Sequence, residues 1–115
     1  MATVTIHQRT LKFSITLAHF LQSVTLTPES RVVRSQVMRS GCSIGANIVE
    51  AQHGATKKEF RRYMSIALRS ARETEYWLTI LRSLFPINYS QIENINRENN
   101  ELSKIIATII LKSKR

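Results

Sequence analysis

The sequence contains no aspartate, one cysteine, three glycines and two prolines. Each shortage excludes something. Without aspartate, the commonest orienting member of a catalytic triad and the usual magnesium ligand are both missing. The lone Cys42 rules out an intramolecular disulfide framework and fits a reducing compartment. So few glycines and prolines leave little room for linkers or disorder. No run of about 18 apolar residues exists, so no membrane-spanning helix is expected. The first residues, MATVTIHQRT, lack a basic segment followed by an apolar one, so no secretory signal is expected and the cytoplasm is the default.

Catalytic and metal-binding patterns are also absent. His7, His19 and His53 lie far apart and fit no metal-ligand spacing, and Cys42 has no nearby partner. Cys42 reads as a small buried helix residue. Gly41 and Gly45 precede no Lys-Ser/Thr pair, so they are not a phosphate-binding loop. Glu73 and Glu75 are two apart and point to different helix faces. No enzyme, metal or cofactor is expected.

What is present is basic and helical. Seventeen Lys and Arg oppose eight Glu, giving a net charge of +9, and the isoelectric point is near 10.5. Such a balance suggests a polyanionic partner.

The most regular stretch begins at Lys57. Phe60, Met64, Ala67, Ala71, Thr74, Leu78, Leu81 and Phe85 alternate four- and three-residue steps, which places them along one helical seam. Lys58, Arg62, Arg69 and Arg72 fall on the opposite side. Arg61 belongs to the same cluster, which has few acidic partners at i,i+4 spacing. Lys58, Arg61, Arg62, Arg69 and Arg72 are therefore the candidate nucleic-acid contacts. A phosphate backbone asks only for cations at similar spacing. Ile66, Trp77 and Leu84 form a flanking apolar stripe. It either packs within one bundle or serves as a subunit interface, where Trp is favoured; the interface is the preferred reading.

Three further helices are expected, at about residues 6–24, 29–52 and 91–111, with the third helix at 57–84. In the first, Ile6, Phe13, Leu17, Phe20 and Val24 share a stripe that Leu11 and Ile15 widen. Thr27 is a candidate N-cap before Pro28. In the second, Val33, Val37, Ser40, Ile44, Ile48 and Ala51 point inward. Its centre, Ser40 to Ala46, is unusually small, which either admits a neighbouring helix or breaks the helix. Gly54 suits a left-handed position closing that helix.

Thr56-x-x-Glu59 and Ser90-x-x-Glu93 read as capping boxes. The last helix carries Ile92, Ile95, Asn99, Leu102, Ile106 and Ile109, with Ile105 and Ile110 beside them. Residues 1–5 and 112–115 read as loose tails. Asn47 and Glu50 read either as functional contacts or, preferably, as a buried network with Arg39 that fixes register. Together these patterns predict an all-α, antiparallel up-down-up-down four-helix bundle as one domain over 1–115.

The stretch from Gln36 to Leu78 resembles the four-helix-bundle family encoded in intervening sequences of bacterial 23S ribosomal RNA genes. That family is similar to the accessory variability determinant of diversity-generating retroelements. The residues that carry the resemblance are Gln36, Arg39, Ser43-Ile44, Asn47-Ile48, Glu50, Glu59-Phe60, Ser65-Ile66-Ala67, Ser70, Glu73 and Glu75. The departures are Val49 and Ala51, where Ala and Gly are usual, and Arg69, which replaces a Gly and either alters close packing or adds charge. The resemblance implies a ring-like homo-oligomer, a pentamer. For the retroelement relatives it also implies nucleic-acid binding and contact with a reverse transcriptase. The other reading is a protein-interaction scaffold that binds no nucleic acid and meets an acidic protein surface.

Overall fold

The computed structural model describes residues 5–114. Four helices follow in order: α1 (Ile6–Gln22), α2 (Pro28–Gln52), α3 (Lys57–Leu84) and α4 (Tyr89–Ser113). Each packs on its chain neighbours, and α1 closes the ring against α4. The result is an antiparallel up-and-down four-helix bundle. Its longest dimension is 46 Å, close to the roughly 42 Å rise expected of the longest helix, α3.

Local chemistry sets the ends. Thr27 caps α2 by accepting from the Ser30 backbone N–H, and Ser30 Oγ in turn accepts from the Thr27 N–H at 2.7 Å. Pro28 sits in the first turn, where its missing N–H costs nothing. Thr56 caps α3 by accepting from the Glu59 N–H at 3.1 Å. The return arm of that box reaches one residue further back, to the Ala55 N–H at 2.8 Å.

Several boundaries differ from those read in the sequence. Helix α1 ends at Gln22, two residues early, because Ser23 and Val24 N–H groups fold back onto Phe20 and Leu21 carbonyls. The capping box at Ser90 does not form. Asn88 caps α4 instead, accepting from the Gln91 N–H at 3.0 Å, and Glu93 is released to pair with Arg82 of α3. Helix α4 also runs to Ser113, so Lys112 and Ser113 are helical and Lys114 is the C-cap. Thr5 is not loose: it caps α1 in a reciprocal box with Gln8. The rest of the expected tails, residues 1–4 and 115, lie outside the described residues.

Among the described residues no glycine has positive φ. Gly54 is therefore not a left-handed terminator. A Cβ there would meet the Ala51 carbonyl and the Glu59 Cβ at 3.3 Å, so crowding between α2 and α3 is what favours glycine.

The core follows the expected stripes of α2, α3 and α4, with Ile44, Ile48, Met64, Leu78, Leu81, Leu102 and Ile106 all but inaccessible. Phe60 and Phe85, at the ends of the α3 seam, are partly buried. Helix α2 is continuous through its small centre. A Cβ at Gly41 would stand 2.2 Å from Leu17 Cδ2, and one at Gly45 would stand 3.1 Å from Thr10 Oγ1. These two glycines let α1 lie directly on α2. Leu11 and Ile15 do not widen the buried stripe of α1; they are about half exposed. They sit on the outward side of α1, a direction no neighbouring helix covers. Among the described residues no helix is long and apolar enough to cross a membrane.

Candidate nucleic-acid interface

Helix α3 presents an outward row. Lys58, Arg62, Arg69 and Arg72 are all exposed, and their 4-7-3 spacing keeps them on one face. None of the four takes part in the ion pairs formed among the described residues, which are Arg9–Glu98, Arg39–Glu73, Arg82–Glu93 and Glu101–Lys104. The Arg62 guanidinium lies over the Tyr63 ring, 5.4 Å from its centroid. Such stacking orders the side chain while leaving its donors free.

Arg61 stands apart from this row. It is half-buried, and its Nη1 donates to the Ser113 carbonyl at 3.0 Å. There it satisfies the C-terminal end of α4, where a cation is favoured. Tyr76 extends the row in its place. It follows Arg72 by four residues, is 61% exposed, and meets Trp77 edge-on with ring centroids 5.2 Å apart. The row from Lys58 to Tyr76 spans about 27 Å. The signal for Tyr76 was available in the sequence, since Lys58, Arg62, Ser65, Arg69, Arg72 and Tyr76 repeat in alternating fours and threes.

The flanking apolar stripe is uneven. Ile66 and Trp77 are half-buried, whereas Leu84 is 63% exposed. Trp77 packs against the core, and its Nε1 donates to Glu73 Oε2 at 2.9 Å. The same carboxylate oxygen accepts from Arg39 of α2. Beside this clasp, Ser70 Oγ donates to Ser43 Oγ at 2.9 Å, and Thr74 Oγ1 lies 3.0 Å from Ser40 Oγ. The expected network of Asn47 and Glu50 with Arg39 does not form. Asn47 donates to the Ser43 carbonyl and hydroxyl within its own helix, and Glu50 is exposed. Short hydroxyls reach across a close seam where a long carboxylate turns to water.

The model of the 23S rRNA-intervening sequence protein family matches residues 3–108. The chain belongs to that family. A crystal structure of a protein of unknown function from the S23 ribosomal protein family of Bacteroides thetaiotaomicron is similar to it. The two are 36% identical over 91% of this chain and 94% of that one, with a TM-score of 0.82. No curated protein matches the chain.

Many of the residues that carry the resemblance serve the α2–α3 seam, whereas Glu50, Ser65 and Glu75 are exposed. Ile44, Ile48 and Ala67 are core. Gln36 holds Arg39 at 2.9 Å while Arg39 reaches Glu73. Arg69, the departure from glycine, is exposed on the outward row. It adds charge to that face without entering the packing.

Proposed function

We propose that the protein is a non-enzymatic, homo-oligomeric helical bundle of the cytoplasm that holds nucleic acid by its phosphates along the outward row of α3. One observation carries this reading: Lys58, Arg62, Arg69 and Arg72 share an exposed face and have no carboxylate partners among the described residues. Uncompensated cations in a row suit a polyanion, since binding releases the counterions condensed on it. Tyr76 at the end of the row supplies a ring on which an unstacked base can rest, which favours single-stranded segments. Arg61, held by α4, contributes to the local potential more than to direct contact.

The assembly we propose is a ring, a pentamer by the resemblance, joined through the Ile66, Trp77 and Leu84 stripe. The resemblance also supports a role as accessory to a nucleic-acid enzyme such as a reverse transcriptase. Leu84 supplies the cleaner test of the interface, because Trp77 also packs on the core. Leu84→Glu is expected to shift the assembly toward monomer in sedimentation equilibrium while helix content stays unchanged. An unaltered mass for Leu84→Glu, or a monomeric wild type, would remove this stripe from the interface.

For the binding itself, log affinity should fall linearly with log salt. Four contacts to a single strand predict a slope of about −3. Failure to bind mixed RNA and DNA even at low salt would turn attention to an acidic protein surface as the partner of the same row.

A further inference from the structure

A second basic feature lies on another side of the bundle. The outer edge of the α1–α2 pair holds a cleft of about 480 Å³, within the size range of small-molecule sites. Its lining includes Ala18 and Met38 as partly exposed apolar walls, and Arg31, Arg34 and Arg39 as cations. Arg31 and Arg34 are one turn apart on α2. Arg39 is balanced by Glu73. Arg31 and Arg34 form no ion pair among the described residues, and Arg34 makes one long contact, 3.5 Å from Nη1 to the Leu21 carbonyl.

The cleft therefore offers two uncompensated guanidinium groups beside an apolar surface. Guanidinium groups match phosphate oxygens in pairs of parallel hydrogen bonds. Two free cations match a dianion, and the phosphate group that carries close to two charges at neutral pH is a monoester. A diester carries one. We propose that the α1–α2 cleft is a phosphomonoester site, with the phosphate on Arg31 and Arg34 and its organic group against Ala18 and Met38. A free nucleotide and the 5′-phosphorylated end of a strand share this chemistry. The site is separate from the α3 row, so either can fail alone.

Cys42 provides a local reporter. It is the sole cysteine of the chain, is half-exposed and lines the same cleft. Adenosine 5′-monophosphate should bind saturably in calorimetry and slow maleimide labelling of Cys42. Arg31→Gln with Arg34→Gln should weaken that binding about tenfold or more, as expected for lost charged hydrogen bonds. Arg34 also touches the end of α1, so Arg31→Gln alone, at an exposed position, decides the matter if the double variant unfolds.

Binding should also weaken below about pH 6, where the monoester takes up a proton. Cyclic adenosine monophosphate, a diester, should bind more weakly at every pH. Competition by a 5′-phosphorylated oligonucleotide but not by its 5′-hydroxyl counterpart would identify a strand end as the ligand. Competition by neither would identify the free nucleotide. No saturable binding of the nucleotide at millimolar concentration, equal binding of the cyclic diester, or binding undiminished in Arg31→Gln would overturn the proposal.

Discussion

The α2–α3 and α1–α4 seams are built in opposite ways. Along α2–α3, hydroxyls meet between Ser43 and Ser70 and between Ser40 and Thr74, and Glu73 joins Arg39 to Trp77. Among the described residues, the hydrogen-bonded link across the α1–α4 seam is one two-pronged pair, with Arg9 Nε and Nη2 donating to the Glu98 carboxylate at 3.1 and 2.6 Å. That hydrogen bond keeps the Arg9 guanidinium above its ordinary value. Below it the two helices part around a cleft of about 890 Å³ bordered by Lys12, Thr16, His19, Gln91 and Asn94. The difference separates architecture from surface. The close seam holds the core of the family motif, whereas Lys58, Arg62, Arg69 and Arg72 point away from it.

The largest effect is expected at Gly41, in the α1–α2 contact that lies between these two seams. Gly41→Val forces a branched side chain into the space of fully buried Leu17. We expect a loss of about 1–3 kcal/mol in chemical denaturation, the usual cost of overpacking. A neutral result would mean that α1 is free to move off α2. Next is Thr74→Val, which removes the hydroxyl facing Ser40 while keeping the shape. A loss of about 1 kcal/mol is expected, and an unchanged midpoint would deny the hydroxyl seam any part in stability. Smallest is Arg9→Gln. Its pair with Glu98 is about one-third exposed on both sides, so solvent screens it, and the expected loss is below about 1 kcal/mol. A loss larger than that of Thr74→Val would reverse the ranking of the two seams.

Much of this hairpin is legible in the sequence, because its signals are local and periodic. Thr56 and Glu59 mark the start of α3, and Phe60 to Phe85 mark its inward face, as the helix bounds and core bear out. The misreadings arise where the outcome depends on neighbours. Ser90 and Asn88 are both competent caps, and Arg82 across the bundle takes the glutamate that Ser90 would need. Leu11 and Ile15 carry the right hydropathy, but no helix lies on their side of α1.

Cys42 reads as buried because it is small and mid-helix, yet it lines the α1–α2 cleft. The row of Lys58, Arg62, Arg69 and Arg72 was readable from spacing alone. The diversion of Arg61 to the end of α4 was not, because it depends on where a helix fifty residues away stops.

The central claim is that the outward row of α3 binds nucleic-acid phosphates. Its most direct test compares wild type with Arg62→Glu/Arg69→Glu in a salt titration of binding to unrelated RNA and DNA strands. Both side chains are exposed on the side away from the core, so helix content and assembly mass should not change. Binding should weaken by about tenfold or more, by a similar factor for every sequence, because phosphate contacts carry no base information. The plot of log affinity against log salt should become shallower by about half, as expected when half of four contacts are lost. Equal affinity and equal slope in the variant and the wild type would contradict the claim and remove this face from the site.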